Sequence, residues 1–227
     1  MINMREEYRR CFQDKTGRYF IEHYLSTFNA DVVKETPFIL FPRQLAFLKS
    51  LQVNPNTIAI KHRQAGITTV SSAWATYKCV FADKKAPETI LCIGNKLDTS
   101  QQLIEKMGDF LDQVPRWMWG SDFYHPDPKN EKNNRSIYVA RNKQKLELFN
   151  GCKIYARSSG KHAARGISAV SILIFDEAAM IENGPEVYSQ AVACTATLGS
   201  KARIIMISTP KGKDQLYYKT YDKALKG

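Results

Sequence analysis

The sequence predicts an α/β fold in which a mostly parallel sheet lies between two layers of helices, a three-layer sandwich. Short, almost wholly apolar segments alternate along the chain with longer segments that have helical spacing. Strands that are apolar on both faces are typical of parallel sheets that helices cover from both sides. The chain has 227 residues, of which 44% are hydrophobic, and this is enough apolar material for one sizeable core.

The N-terminal part of the chain is predicted to be helical. Residues 4–27 carry apolar side chains at helical spacing, but Gly17 interrupts them, so one helix or two shorter helices fit equally well. Two prolines then punctuate the chain before residues 43–52, which have the pattern of an amphipathic helix. We therefore assign residues 1–36 to a helical segment that packs on the core and residues 37–227 to one larger domain.

The larger domain alternates between strands and helices. A polar, aromatic-rich loop follows the second of these helices, and an Asn-Gly pair between two alternating segments predicts a hairpin. Ligands of such sheets bind beyond the carboxyl ends of the strands, so functional side chains are expected there. The predicted buried strands are 57–62, 89–95, 171–178 and 202–210, the helices are 68–81, 100–114, 185–196 and 215–225, the loop is 115–135, and the hairpin is 145–157.

Composition restricts the class of protein. The formal net charge of +11 favours a polyanionic partner, either DNA or RNA. The loop contains three cations that either contact the nucleic acid or are simply solvated: Lys129, Lys132 and Arg135. No segment approaches the roughly 20 apolar residues of a membrane span, and the charged N-terminus lacks the apolar core of a signal peptide. Five cysteines without CxxC spacing predict reduced core thiols in a cytoplasmic protein.

The first buried strand runs into a candidate phosphate-binding loop, residues 61–69, with the sequence KHRQAGITT. Such a loop needs backbone N–H groups that point at the phosphates, a helix N-terminus behind them and a hydroxyl for Mg²⁺. Gly66 allows the close approach, and Thr68, followed by Thr69, supplies the hydroxyl. The usual lysine is replaced by Ile67, so an ordinary strand–turn–helix junction with a threonine cap is an equally good interpretation of this segment alone.

Lys61 can replace the missing lysine. It occupies the position of the first glycine of the usual motif, on the opposite arm of the loop, and an ammonium on a long stem can reach the β- and γ-phosphates from either side. Arg63 is a second cation in the same loop. The backbone amides that we expect to hold the phosphates belong to Gln64, Ala65, Gly66, Ile67 and Thr68.

Two other buried strands end in polar groups. One ends in Asp176 and Glu177, where the first carboxylate can hold Mg²⁺ and the second can polarise an attacking water. Taken alone, the pair also fits a polar strand end with Asp176 capping a helix. The other strand ends in Ser208-Thr209-Pro210, which would lie beside the carboxylates and could sense the γ-phosphate. Three polar strand ends at one edge of a sheet together predict nucleotide hydrolysis.

Five segments resemble, in order, the ATPase domain of tailed-phage large terminases. This family has a P-loop NTPase fold of the ASCE/RecA-like type, and some members carry a K-x-R-Q-x-G-x-T-T loop in which lysine stands first. The resemblance covers about residues 18–221. The segments are FPRQLAFL at 41–48, KHRQAGITT at 61–69, ILCIGNKLDTSQQL at 90–103, SSGKHAARGISAVSILIFDEAAM at 158–180 and IIMISTPKGKDQLYY at 204–218.

The resemblance implies roles for single residues around ATP and Mg²⁺. Arg165, eleven residues before Asp176, matches the arginine finger that acts on the ATP of a neighbouring subunit. Gln44 matches the residue that reads the edge of the adenine, and Arg63 matches an arginine that contacts phosphate or couples hydrolysis to motion. Ser208, Thr209 and Pro210 match the coupling motif.

The resemblance also implies an activity and partners. The chain would hydrolyse ATP to move double-stranded DNA into a procapsid in the host cytoplasm, together with a portal protein and a small terminase subunit. It would form a pentameric ring on the portal and would be a monomer as an isolated domain. The family's nuclease domain is not expected in this chain, because only 17 residues follow Pro210. Two alternatives remain. One is a helicase or translocase fragment of superfamily 2, and the other is a basic nucleic-acid-binding module with a decayed nucleotide site.

Overall fold

The computed structural model describes residues 3–29, 33–160, 163–212 and 216–226. Residues 161–162 and 213–215, which belong to two of the family-like segments and to the start of the last predicted helix, lie outside the described part. The elements are α1 (Met4–Gln13), α2 (Arg18–Tyr24), β1 (Ser26–Asn29), β2 (Lys34–Pro37), α3 (Pro42–Val53), β3 (Asn56–Ile60), α4 (Ile67–Val80), β4 (Thr89–Gly94), α5 (Leu97–Gln113), β5 (Tyr138–Asn142), β6 (Lys145–Leu148), β7 (Lys153–Ser158), β8 (Ile172–Asp176), α6 (Gly184–Ala193), β9 (Arg203–Ser208) and α7 (Leu216–Lys226).

A seven-stranded sheet in the order β3-β9-β8-β4-β7-β6-β5 forms the centre of the fold. The first five of these strands are parallel to one another. Strands β6 and β5 continue the sheet as antiparallel strands at one edge. The prediction of a mostly parallel α/β sheet is confirmed.

The strands send alternate side chains into two separate apolar cores. In β4, Ile90 and Cys92 belong to one core, which α3, α4 and α5 cover, whereas Leu91 and Ile93 belong to the other, which α6 and α7 cover. Successive side chains of a strand point to opposite faces, so a strand that is buried on both faces is apolar throughout. This explains the continuous apolar runs in the sequence and confirms the three layers.

The N-terminal region contains two helices rather than one. Gly17 has φ +76° at the start of α2, and a Cβ added there would lie 2.8 Å from the ring of Tyr77, so the break between α1 and α2 needs glycine. The predicted continuation of helix to residue 27 is wrong, because Ser26–Asn29 pairs with Lys34–Pro37 in an antiparallel hairpin. A four-residue strand with mostly polar neighbours carries little periodicity, which explains why the pattern missed it.

The edge of the sheet also differs in part from the prediction. The hairpin around Asn150-Gly151 is present as β6 and β7, with Gly151 at φ +87°. Strand β5, in contrast, was included in no predicted element, because its side chains are mostly exposed and lack the apolar run of the buried strands. Four of the five cysteines are fully buried, and all five are free thiols, as expected. Among the described helices, none combines the length and the apolar character that crossing a membrane requires.

Candidate nucleotide site

The order of the strands brings three polar strand ends to one edge of the sheet. Strand β9 lies between β3 and β8, with Ser208 in register with Ile60 and Ile207 in register with Asp176. Lys61 follows Ile60 directly and donates its backbone N–H to the carbonyl of Ser208 at 3.0 Å. The predicted meeting of these residues at the carboxyl edge of the sheet is therefore observed.

A tight loop joins β3 to α4. Gln64 and Gly66 have φ of +63° and +72°, both in the left-handed region that favours glycine. Helix α4 begins at Ile67 behind Gly66, and no side chain caps its first turn. The first N–H groups of a helix have no partner within the helix, and the helix dipole makes this end electropositive. The loop therefore has the backbone arrangement of an anion site.

Gln44 holds this loop through a hydrogen bond to its backbone. Its side chain is 7% exposed, its Oε1 accepts the backbone N–H of Phe41 at 3.1 Å, and its Nε2 donates to the carbonyl of Ala65 at 3.1 Å. A Cβ at Gly66 would lie 2.4 Å from Nε2, so only glycine allows the side chain of Gln44 to come this close. Because the two contacts leave one N–H and one lone pair of the amide free, Gln44 can still meet a base.

Lys61 forms an ion pair with Glu177 at the centre of the site. Its Nζ lies 2.8 Å from Oε1 of Glu177, and the two side chains are only 11% and 26% exposed. Ile67, which stands where the usual lysine would be, is instead buried in the core under α4. Lys61 is thus placed as a cation at the mouth of the loop, although it comes from the strand arm and not from the helix.

The other oxygen of Glu177 is held by the end of β9. Thr209 donates to Oε2 from its hydroxyl at 3.2 Å and from its backbone N–H at 3.4 Å, and Ser208 Oγ lies 3.4 Å away. Burial of Glu177 raises its pKa, but the hydrogen bond and charge of Lys61, together with the bonds from Thr209, outweigh burial, so the net pKa is lowered. Glu177 also has φ +52°, a strained conformation for a residue with a side chain.

Asp176 lies deeper and forms no ion pair with any residue that the structure describes. Its carboxylate is 6% exposed, and Thr68 donates its hydroxyl to Oδ1 at 3.1 Å. Burial raises the pKa of Asp176, the charge of Glu177 adds to that effect, and the charge of Lys61 and the Thr68 hydrogen bond offset it only partly. Two oxygens, a carboxylate and a hydroxyl, thus lie side by side where α4 begins, in the kind of donor set that Mg²⁺ prefers.

A cavity of about 620 Å³ opens beside the loop, on the side of α3. Phe41, Gln44 and Phe47 line it from α3 and its N-terminus, and Lys61 and Gln64 line it from the loop. The ring of Phe41, which lines the cavity, is 68% exposed. The cavity is of the size and mixed character of small-molecule sites.

Three predicted site residues stand apart from this cluster. Arg63 is exposed on the loop, and Pro210 is exposed just beyond the end of β9. Arg165 is exposed on the loop before β8, next to Gly166 at φ +77°. Its neighbours Ala163, Ala164 and Ile167 are buried in the core on the α6 side, which fixes the loop and leaves the arginine at the surface.

Two contacts near the site were not foreseen from the sequence. Lys106 of α5 donates to Thr69 Oγ1 at 3.2 Å, and the Tyr217 hydroxyl of α7 donates to the carbonyl of Ala59 at 2.6 Å. Both residues lie on amphipathic helices far along the chain from their partners. No local pattern distinguishes Lys106 from any other solvated lysine, so only the packing of the helices reveals the contact.

The burial of Asp176 predicts a stability test. We expect Asp176→Asn to raise the melting temperature at pH 7, because it removes a buried carboxylate whose pKa is raised while keeping an oxygen for the Thr68 hydroxyl. The penalty is full above the raised pKa of Asp176 and vanishes below its ordinary value near 3.8, so the gain should shrink as the pH falls through this range. Thermal melts of both proteins between about pH 3 and 8 measure this, and a less stable Asn variant at pH 7 would contradict it.

Known proteins share this arrangement of elements. The structure is similar to the Thermus phage P74-26 large terminase ATPase domain, with a TM-score of 0.54 and 20% identity over 80% of this chain and 69% of that one. It is also similar to the large terminase of bacteriophage HK97, with a TM-score of 0.67 and 15% identity. That match covers 100% of this chain but 42% of the HK97 chain. At these identities the two structures establish the fold.

The family is established by sequence. A sequence model described as the N-terminal part of the T4-like type of terminase large subunit matches residues 58–227, well over half of the chain. The match begins within β3 and includes the phosphate loop, the carboxylates at the end of β8 and the polar end of β9. The chain therefore belongs to the large terminase family of tailed bacteriophages, and its residues 58–227 match the N-terminal part of that family's sequence.

Proposed function

We propose that this chain hydrolyses ATP and that the hydrolysis drives double-stranded DNA into a viral procapsid. The observation that supports the proposal best is the Lys61–Glu177 ion pair, 2.8 Å long, at the mouth of the loop that begins α4. In this pair, a lysine that would bind phosphate contacts a carboxylate that would act as the base. Belonging to the large terminase family makes DNA packaging the process that this chemistry would drive.

The phosphates would bind at the start of α4. The backbone amides of residues 64–68 and the N-terminus of α4 would hold the β- and γ-phosphates, since this end of the helix has no side-chain cap. Lys61 would supply the charge that Ile67 cannot, and the exposed Arg63 lies on the same loop and would add a second cation. Lys106, through Thr69 Oγ1, would fix the outer side of the loop.

Thr68 and Asp176 are the residues that would hold Mg²⁺. They fit this role because the buried Asp176 carboxylate has no cationic partner among the described residues and has a hydroxyl oxygen 3.1 Å away. Bound there, Mg²⁺ would neutralise charge that develops on the phosphates during transfer. Burial raises the pKa of Asp176 in the free protein, and a cation bound beside it would offset the cost of that burial.

Glu177 would act as the general base. In the free protein its charge is balanced by Lys61, and the same contact lowers its pKa and so weakens it as a base. A γ-phosphate that draws Lys61 away would remove this partner and raise the pKa of Glu177 toward the range in which it can accept a proton from water. Binding of ATP would thereby make Glu177 a stronger base for the water that attacks the γ-phosphate.

The base would occupy the cavity beside α3. Phe41 and Phe47 offer apolar surface, and the free N–H and lone pair of Gln44 suit the edge of adenine. Because Gln44 also donates to the carbonyl of Ala65, the presence of the base would be transmitted directly to the phosphate loop.

Coupling to motion would begin at β9. Ser208 and Thr209 contact Glu177 directly, so a change at this carboxylate reaches the strand end and Pro210 behind it. Arg165 is exposed and can approach the site of a neighbouring copy, where it would stabilise charge in the transition state. Arg165 would then act in trans within a ring on the portal, which the family suggests is a pentamer.

The remaining partners follow from charge and family. The net charge of +11 suits contacts to the DNA backbone that do not depend on sequence. A portal protein and a small terminase subunit are the expected protein partners, and the host cytoplasm during virion assembly is the expected place of action.

Replacing Glu177 by glutamine tests the proposed base. We expect Glu177→Gln to bind ATP at least as tightly as the original protein and to hydrolyse it about 10²- to 10⁴-fold more slowly, because the amide cannot accept a proton. Phosphate release and the binding of a fluorescent ATP analogue measure the two effects. The exposed Glu182, replaced by glutamine in the same way, is the matched control and should leave both unchanged. Full turnover in Glu177→Gln would exclude Glu177 as the base.

Mixing two inactive variants tests the arginine finger. Arg165→Ala and Glu177→Gln should each be inactive alone, but a mixture should regain part of the turnover, because an intact site of one subunit meets an intact Arg165 of its neighbour. Phosphate release with DNA present, measured across mixing ratios, gives the result. The absence of recovery at every ratio, in samples that still assemble, would mean that Arg165 does not act in trans.

A further inference from the structure

A second cavity, of about 640 Å³, lies at the opposite edge of the sheet from the nucleotide site. Helix α1 forms one wall and residues 117–124 form the other. Val80, at the end of α4, and Asn150, in the β6–β7 turn, line it between the walls. The end of α4 and the turn before β7 both lie at the amino edge of the parallel strands, whereas ATP would bind at the carboxyl edge. We call this cavity the α1 groove.

The walls of the α1 groove carry a stripe of partly exposed apolar side chains. Met4, Tyr8 and Phe12 follow one another at four-residue spacing on α1, and they are 37%, 37% and 45% exposed. Residues four apart lie on the same face of a helix, so they form one continuous ridge. The other wall adds Trp117 and the largely buried Trp119. Clustered apolar surface of this kind, as opposed to single exposed side chains, marks interaction sites.

The rim of the α1 groove is positively charged. Arg5 and Arg9 of α1 and Lys84 line it. Among the lining residues that the structure describes there is no aspartate or glutamate, although the exposed Asp122 lies within residues 117–124. Within the described part of the chain, none of these three cations pairs with a carboxylate, whereas Arg10 on the far side of the same helix pairs with both Glu6 and Glu7. Cations left unpaired around an apolar floor are complementary to an occupant that is apolar on one side and acidic at its margins.

Neighbouring side chains already contact the aromatic rings of the α1 groove. The ring of Phe12 has the ammonium of Lys15 over its face at 3.8 Å, and Tyr8 lies nearly parallel to it, with the ring planes 9° apart. Tyr8 also packs on Phe81, and Trp117 on Tyr24. Rings that already contact other side chains leave less free surface for stacking on bases, and an apolar floor suits aliphatic and aromatic side chains.

We propose that the α1 groove is a docking site for an acidic amphipathic helix of a partner protein. Apolar side chains of that helix would fill the groove between α1 and residues 117–124, and its glutamates and aspartates would pair with Arg5, Arg9 and Lys84. Binding of a helix in an apolar groove is a common mode of peptide recognition. The site at the amino edge would leave the nucleotide site at the carboxyl edge accessible while the partner is bound.

A designed peptide tests the proposal directly. The probe is a labelled helical peptide of about 15 residues with leucine at positions i, i+3, i+4 and i+7 and glutamate elsewhere. A second peptide has lysine in place of each glutamate, and labelled single-stranded oligothymidylate stands for nucleic acid. Fluorescence anisotropy gives the affinities, and the emission of Trp117 and Trp119 reports whether the probe enters the groove.

We expect the acidic peptide to bind and to shift the tryptophan emission, and the lysine peptide to bind at least about tenfold more weakly. The double variant Arg5→Glu with Arg9→Glu should weaken the acidic peptide by about tenfold or more. Lys219→Glu with Lys223→Glu, two exposed positions on α7 with the same change in charge, should not. Unchanged thermal unfolding and ATP turnover in both double variants would show that the fold and the nucleotide site are intact.

Two outcomes would overturn the proposal. One is that the acidic and lysine peptides bind with equal affinity, or that Arg5→Glu with Arg9→Glu leaves the affinity of the acidic peptide unchanged. Either result means that the rim does not select an acidic partner. If oligothymidylate shifts the tryptophan emission and the same reversals abolish that binding while the acidic peptide does not bind, the groove belongs to nucleic acid.

Discussion

The ion pair between Lys61 and Glu177 is the interaction around which the site is organised. It joins the first residue after β3 to the first residue after β8, across β9, which lies between them. The carboxylate is held on its other side by Thr209, so all three strand ends meet at one side chain. Since the lysine comes from the strand and not from the helix, the loop can begin α4 with the buried Ile67 and still present a cation to a phosphate.

The same geometry works against stability. Glu177 and Gln64 have positive φ, and the buried carboxylate of Asp176 has a raised pKa that the nearby charge of Lys61 offsets only in part. Strained backbone and buried carboxylates with raised pKa values persist only where the surrounding structure imposes them, and they are concentrated at functional sites. Here the two apolar cores on either side of the sheet provide the support, because β8 and β9 are buried on both faces up to Asp176 and Ser208.

Much of the fold and most of the site residues were accessible from the sequence, for a physical reason. Buried parallel strands are continuous apolar runs, and their polar ends are forced to one edge, so Lys61, Asp176 and Ser208 could be placed together without coordinates. Elements with weak periodicity escaped: the β1–β2 hairpin and the exposed strand β5. So did contacts that depend on packing alone, such as Lys106 with Thr69, and the α1 groove, whose walls come from distant segments.

The most direct test of the account is the affinity for ATP when the lysine is moved. Lys61→Ala should weaken the binding of an ATP analogue by about tenfold or more, because a charged contact to phosphate is lost. Adding Ile67→Lys, which restores a cation at the position usual for other ATPases, should recover part of that affinity. Ile67 is buried, so thermal unfolding of Ile67→Lys alone measures how much stability the added charge costs. If Lys61→Ala binds the nucleotide as tightly as the original protein, Lys61 is not the phosphate-binding cation and the central claim fails.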